Sequence, residues 1–559
     1  MTRAFRHWTP LVGALVLAAC GGSDPNPPST LDCSAVGVIS LPAGQYTIQD
    51  ASQTACLRIP GAGAQEAEYL YVALATEGTE TDPGISANYR LQGGASPSAS
   101  VAALSPAVFD KAPTAAQSFH DMLRGRERDL SRQPGAAQSR GRIAASVASV
   151  PPVVGSQRTF DVCATTACDS FVQSTATAKV IGQRVAIYVD VLDDGAPTGY
   201  TDTDLDNVKQ LFDSHLYPID TTAFGRESDL ENNGVVIVLL TQHVNELSPN
   251  CNTTGSVILG YFYGLDLLPS EPYSNDGEIF YGLVPGTITP GCTISNSFAT
   301  QTLPIVFIHE FQHMISFNQH VLVRGGTSED TWLNEGLSHF AEELGGRQVP
   351  DNFCTSPFAN CESQFNGGNL DNAYGYLNDP EASFLVEPGL SSGTLEERGA
   401  NWLFVRWLAD HFATTQPQGT ELTQALLQTN STGMANVQAA TGEDFSTLTA
   451  QWQLANYLTD LSGFTPVSDR LRYTSLNLRA IYQLNFQNGV FAKPYPLTPD
   501  STRTGAYDRT GVLRAGSGRH LRIIQPVTSG EVALVLTGAG GTSPVSSTAK
   551  PRIAVARVR

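Results

Sequence analysis

Basic residues are scarce in this sequence. Lys and Arg number 33 against 53 Asp and Glu, which leaves a net charge of -20 over 559 residues. That field repels phosphate backbones and anionic lipid surfaces, so nucleic acid is excluded as a partner. Beyond the N-terminus no apolar run reaches the roughly 20 residues of a membrane-spanning helix. No internal repeat occurs, which sets aside solenoids and propellers. No Cys-x-x-Cys pair occurs either, which argues against a structural thiolate zinc site. Nothing in the sequence sets an oligomeric state.

The apolar share of 41% supports packed cores, and the length exceeds what one core usually holds, so two or three domains are expected. The N-terminus carries Arg3, Arg6 and His7, an apolar stretch from Pro10 to Ala19, and Leu17-Ala18-Ala19-Cys20. A short basic region, a short apolar core and small residues before a cysteine make an export signal. Residues 1–20 resemble a bacterial lipoprotein signal, in which the lipid is carried by the cysteine, here Cys20. That resemblance implies a membrane attachment through lipid on Cys20 and an exported cell-envelope protein at the outer membrane or cell surface. Residues 21–32, with Pro25, Pro27 and Pro28, read as a tether.

Setting Cys20 aside leaves eight of the nine cysteines, an even number in an oxidising compartment. Nearness in sequence suggests Cys33 with Cys56, Cys163 with Cys168, Cys251 with Cys292, and Cys354 with Cys361. Residues 33–94 alternate in short β-type runs such as Tyr69 to Leu74 and read as a small β-domain, with removal as a propeptide one reading of it. Residues 95–154 are rich in Ala, Ser, Pro and Gln and carry Arg124, Arg126, Arg128, Arg132, Arg140 and Arg142. That composition reads as a linker open to proteolysis.

Residues 155–462 show a mixed pattern. Val185 to Val189 and Val235 to Leu240 read as buried strands, Glu278 to Tyr281 as another, and Thr203 with Asp206 as a capping box. Helices are expected around 402–412, 421–427 and 445–461. Residues 463–559 return to short β runs and read as a separate C-terminal β-domain. The fold class expected is α+β.

The chemistry lies in His309-Glu310-Phe311-Gln312-His313. A helix is expected from Pro304, because Pro is tolerated in a first turn. Residues four apart share a helical face, so His309 and His313 can converge on one ion, with Glu310 beside it as a general base. By composition alone the five-residue pattern has an expectation on the order of one in a hundred in a chain of this make-up. A third ligand should come from another acidic or imidazole group. A second helix, capped by Thr327 or Ser328 and ended by Gly345-Gly346, carries the run Trp332 to Leu344. Leu333, Leu337, Phe340, Ala341 and Leu344 form its apolar stripe, and Glu335, His339 and Glu342 share another face. Aligned polar groups beside a core need partners, and a metal site supplies them.

His309-Glu310-x-x-His313 with Asn334-Glu335-Gly336-Leu337-Ser338 resembles the gluzincin superfamily. His309 to Asn318, Trp332 to Glu343 and the upstream strand Gly234 to Thr241 resemble the hyicolysin family of secreted bacterial metallopeptidases, over roughly residues 155–460. The resemblance implies a thermolysin-like gluzincin catalytic domain with flanking β-domains, one catalytic Zn2+, protein or peptide substrates, and an endopeptidase. It implies Glu335 as third ligand and Glu342 as an acid behind the ligands; His339, one turn from Glu335, is the rival ligand, and a role orienting a ligand or contacting substrate suits it as well.

Tyr374 and Tyr376 are candidates for stabilising an oxyanion, against the plainer reading of two packed tyrosines. Gly277 to Tyr281 is the expected edge to which a peptide adds as a strand. Asp229 to Gly234 is similar to part of a calcium loop but lacks the bidentate Glu, so a polar turn is preferred and structural Ca2+ stays unsupported. Two other readings stand beside the peptidase. One is a surface-binding lipoprotein that keeps zinc without turnover, and the other a zinc hydrolase acting on a non-peptide bond.

Overall fold

A computed structural model describes residues 33, 36–52, 55–94, 114–134, 136, 151–193, 199–354, 357–389, 391 and 393–559. The signal, Cys20, the tether, Arg140 and Arg142 lie outside the described residues. In chain order the strands are β1 (Tyr46–Asp50), β2 (Cys56–Ile59), β3 (Ala67–Ala75), β4 (Ser86–Gly93), β5 (Gln157–Cys163), β6 (Phe171–Ile181), β7 (Val185–Asp190), β8 (Val236–Leu240), β9 (Gly260–Phe262), β10 (Ile279–Gly282), β11 (Gly286–Thr289), β12 (Cys292–Ile294), β13 (Asp500–Thr502), β14 (Tyr507–Arg514), β15 (Gly518–Gln525), β16 (Val532–Thr537) and β17 (Pro551–Arg557). The helices used below are α1 (Ala115–Ser131), α2 (Asp202–Leu211), α3 (Tyr217–Phe224), α4 (Asn296–Phe317), α5 (Thr331–Gln348), α6 (Gly367–Asn378), α7 (Leu395–Phe412), α8 (Thr420–Leu427) and α9 (Phe445–Leu458).

The protein is a mixed α and β structure with several sheets. Two of them interleave the ends of the chain. One has the order β1-β17-β3-β15-β13 and the other β14-β4-β16-β2. β3 pairs antiparallel with β17 on one side and β15 on the other, and β4 pairs with β14 and β16. The two segments expected as separate flanking β-domains thus build one pair of sheets together. All nine residues of β3 are buried. Successive side chains point to opposite faces, so Tyr69, Tyr71 and Ala73 enter the core between the two sheets while Leu70, Val72 and Leu74 enter the main core. Removing residues 33–94 would strip a central strand from each sheet and expose both faces. The expected C-terminal segment also starts with a helix, Leu478–Gln487, before the sheets resume at Asp500.

The third sheet carries the site. Its order is β5-β6-β7-β8-β10-β9, with β7, β8 and β10 parallel and β9 antiparallel at the edge. Val236-Ile237-Val238-Leu239-Leu240 is buried throughout, as a strand covered on both faces requires. The strand expected as a peptide-binding edge, β10, is interior because three-residue β9 covers it. The expected capping box is two residues early: Thr201 caps α2, and Asp204 accepts from the Thr201 N–H at 2.8 Å. The repeat Thr201-Asp202-Thr203-Asp204-Leu205-Asp206 offers the Thr-x-x-Asp spacing in two registers, and the earlier one forms.

α4 starts at Asn296 rather than Pro304, with the Ser295 hydroxyl accepting from Phe298 N–H at 3.1 Å, and Pro304 lies inside it. α5 starts at Thr331 after Asp330, not after Thr327 or Ser328, and runs through Gly345 and Gly346. Those glycines serve close packing rather than termination: a Cβ on Gly345 would lie 2.8 Å from the Phe365 ring.

All four expected disulfides form, Cys33–Cys56, Cys163–Cys168, Cys251–Cys292 and Cys354–Cys361. The residues expected to be a linker include α1, whose Thr114 and Gln117 make a capping box. Arg124 is buried there and Arg126 and Arg128 are partly buried, bonded to Phe262, Cys168 and Gly389 carbonyls. No helix of the described residues is long and apolar enough to cross a membrane.

Candidate metal centre

α4 is apolar nearly all round because it is buried between the sheet edge and α5. That burial brings His309, Glu310 and His313 inside, and α5 places Glu335 opposite them. His309 Nε2 lies 3.6 Å from Glu335 Oε2, and His313 Nε2 lies 3.5 Å from Glu335 Oε1. One ligand atom from each of the three falls within 4.8 Å of the others. Neither Glu335 oxygen has a hydrogen-bond partner although the residue is 1% exposed. A buried carboxylate is costly without partners, and beyond the Arg398 guanidinium at 3.5 Å from Oε2 this one has no donor in hydrogen-bond contact. Two imidazoles and such a carboxylate fit a divalent cation.

The electrostatics favour ligation at His313 and Glu335, and a cation at the centre would have to displace the proton that its carboxylate neighbours hold on His309. Burial, reinforced by Arg124, lowers His313 to about 3, so its imidazole is neutral and able to ligate. Burial would lower His309, but Glu335 and Glu342 outweigh it and raise it to about 10. Burial would raise Glu335, yet Arg398 and the two histidines hold it well below the usual carboxylate range. Arg398 of α7 reaches Glu335 Oε2 at 3.5 Å. Glu342 Oε1 holds His309 Nδ1 at 2.7 Å and its Oε2 holds His339 Nδ1 at 3.3 Å. Burial opposes the charge on Glu342, and His339 and His309 outweigh it and keep it at about 2. Among the described residues one other set, His309 with His339 and Glu342, is also close enough for a metal ion, and it shares His309 with the first.

Glu310 is 1% exposed. Its Oε2 accepts from the Phe262 N–H of β9 at 3.0 Å, and its Oε1 lies 3.7 Å from His120 Nδ1 of α1. Burial raises its pKa.

The two tyrosine candidates are engaged elsewhere. Tyr376 stacks on Trp452, and its hydroxyl accepts from Gln453 Nε2 at 2.9 Å in the core. Tyr374 stacks on Phe491, and its hydroxyl accepts from the Lys493 N–H at 2.9 Å. Asp229 to Gly234 forms a turn: Asp229 Oδ1 accepts from Asn233 and Gly234 N–H, and Glu231 pairs with Arg158. Three residues at the centre carried no sequence signal, namely His120 in the Ala- and Ser-rich stretch, Phe262 in a three-residue strand, and Arg398, while Arg124 was read only as linker charge.

The neutral metalloprotease ShpI of Staphylococcus hyicus is similar to this chain, with 29% identity over 173 residues, which is 31% of this chain and 36% of that protein. The match spans little more than a third of that relative's length. No family model matches the chain. The similarity supports a distant relationship to metallopeptidases.

Proposed function

We propose that this chain is a zinc metallopeptidase in which His309, His313 and Glu335 hold the ion and Glu310 is the general base. The observation that carries the reading is the convergence of two imidazoles and the Glu335 carboxylate, each within reach of one point, beside a buried glutamate. Two histidines and one glutamate are a ligand set of catalytic zinc, and a bound zinc supplies Lewis acidity, lowering the pKa of a coordinated water toward about 7 and polarising a carbonyl.

Glu335 is preferred to His339 because its two oxygens lie 3.6 and 3.5 Å from His309 Nε2 and His313 Nε2 and so join both histidines of the motif, whereas the set that contains His339 leaves His313 out. Glu342 fixes the ring of His309 by its Nδ1 and leaves Nε2 pointing at Glu335. Glu310 takes a proton from the attacking water as the C–O bond forms, then delivers it to the leaving nitrogen as the C–N bond breaks. Its own orientation comes from the Phe262 N–H. The peptide adds as a strand at β9, the sheet edge next to Glu310, in place of the interior β10. Arg398 steadies Glu335 from behind. The relation to a hyicolysin-type gluzincin, endopeptidase action, export and attachment through lipid on Cys20 belong to the same proposal and rest on the motifs and the lipobox.

Cleavage of an unfolded protein substrate by purified protein, before chelation, after it, and after zinc is returned, tests the reading. Loss and return of cleavage are expected. Cleavage that ignores the chelator would sink it, and zinc binding without turnover of any peptide, both by this protein and by one whose helix Ala115–Ser131 is loosened, would favour the surface-binding alternative.

A further inference from the structure

The centre described above is closed. Glu310 and Glu335 are each 1% exposed, whereas a general base must come within hydrogen-bond reach of the reacting atoms. The element in the way is α1. Phe119 and Leu123 are fully buried, and the Phe119 ring meets Tyr261 of β9 edge-on at 5.1 Å between centroids. The next residue, His120, lies 3.7 Å from the base. Arg124 Nη2 donates to the Phe262 carbonyl at 2.8 Å, and Glu127 Oε1 accepts from the Gly264 N–H at 2.8 Å.

The Phe262 backbone therefore gives its N–H to Glu310 and its carbonyl to Arg124, so both face away from β10. These outward groups are what an added strand must pair with. Side chains of α1 have taken the carbonyl of Phe262 and the N–H of Gly264. Covering a sheet edge with a helix is a common protective device, but a plain cover has no need to place an imidazole on the catalytic base.

We propose that α1 is a built-in plug, which closes the β9 groove against peptide and keeps the enzyme latent until the helix moves aside. The proposal rests on the peptidase reading of that groove. α1 contributes no strand to any sheet, so it can leave without unpairing β4 before it or β5 after it. Its docking sets one costly contact beside the anchors that Arg126 makes to Cys168 and Arg128 makes to Gly389 and Glu80. The Arg124–Glu127 pair, at 3.2 Å, is buried against the groove, and desolvating two charges offsets much of what their contacts gain. Release returns both to water.

The test loosens the helix and reads access separately from turnover. Two zinc-loaded full-length variants serve: Arg124→Ala with Glu127→Ala, which removes both charges together, and Phe119→Ala with Leu123→Ala, which leaves the charges in place. Circular dichroism and hydrogen exchange across residues 115–131 establish that the rest is folded and that α1 is loosened. The first readout is binding of a dye-labelled peptide hydroxamate by fluorescence polarisation, and the second is cleavage of a quenched peptide library.

At least tenfold tighter hydroxamate binding than wild type is expected, with cleavage at least tenfold faster. Affinity within twofold of wild type, in a variant whose α1 exchanges faster, would overturn the plug. Tighter binding without cleavage by any of the proteins would leave the plug standing and defeat the peptidase reading. Absence of hydroxamate binding in every protein would overturn both.

Discussion

Replacing Glu342 with Ala is expected to weaken zinc binding while leaving the fold intact. Glu342 touches none of the space between His309, His313 and Glu335, and acts through a 2.7 Å bond to His309 Nδ1. Two routes give the size of the effect. Losing a partner that orients a ligating histidine costs 10- to 100-fold in affinity, which is about 1.4 to 2.7 kcal/mol. Leaving the buried His309 N–H without an acceptor costs about 1–3 kcal/mol by the general penalty for an orphaned donor. The two agree. Glu342→Asp should resemble Glu342→Ala, because a side chain shorter by one carbon cannot keep the contact. His339→Ala should change affinity by less than about threefold, since it touches Glu342 through the other oxygen. Competition against a chromophoric chelator measures the affinities, and thermal melts in excess chelator establish the fold. If Glu342→Ala binds zinc within twofold of wild type, the orienting role is wrong.

Three further outcomes follow from other parts of the molecule. Burial raises Glu278 from 4.5 to about 7, so the folded state favours the protonated form. That stability is present below pH 4.5 and is lost as pH rises through about 7. Glu278→Gln stays neutral and can still accept from the Leu230 N–H, so its advantage over wild type should grow between pH 4.5 and 8 by up to about 3 kcal/mol. A gap in melting temperature that does not widen with pH would contradict this. A chain beginning at residue 155 should not fold, because β3 and β4 are central in their sheets; a soluble, cooperatively melting product would overturn that account. Replacing Cys251 and Cys292 by Ser frees a 41-residue separation, with an expected loss of about 4 kcal/mol in the chain-entropy view, to be read as a lower melting temperature than wild type.

The site was legible in the sequence where it is local. A four-residue spacing on a helix places His309 and His313 together, and the same periodicity lines up Glu335, His339 and Glu342 on α5. Buried strands such as Val236 to Leu240 announce themselves by composition. Pairings across hundreds of residues do not: β3 sits between β15 and β17, and nothing in Ala67 to Ala75 names those partners, so two β-rich ends read as two domains. β9 is three residues long and offers no periodicity. α1 lay hidden because Ala, Ser and Gln fill its surroundings, and its arginines read as exposed charge when Arg124 is in fact buried against Phe262. Pro304 misled in another way, since a proline inside a buried helix looks like a helix start. Tyr374 and Tyr376 were chosen for following the ligand helix, and their hydroxyls are instead bonded to Lys493 and Gln453.

The central claim is that Glu310 moves the proton in a zinc-dependent hydrolysis of peptide bonds. Its most direct test is the turnover of zinc-loaded Glu310→Gln against zinc-loaded protein that keeps Glu310, both carrying the loosened α1 and matched for metal content. The account predicts a fall between about 10²- and 10⁴-fold with zinc affinity little changed, the usual worth of a general base. A Glu310→Gln variant that holds its zinc and cleaves within a few-fold of its parent would contradict it.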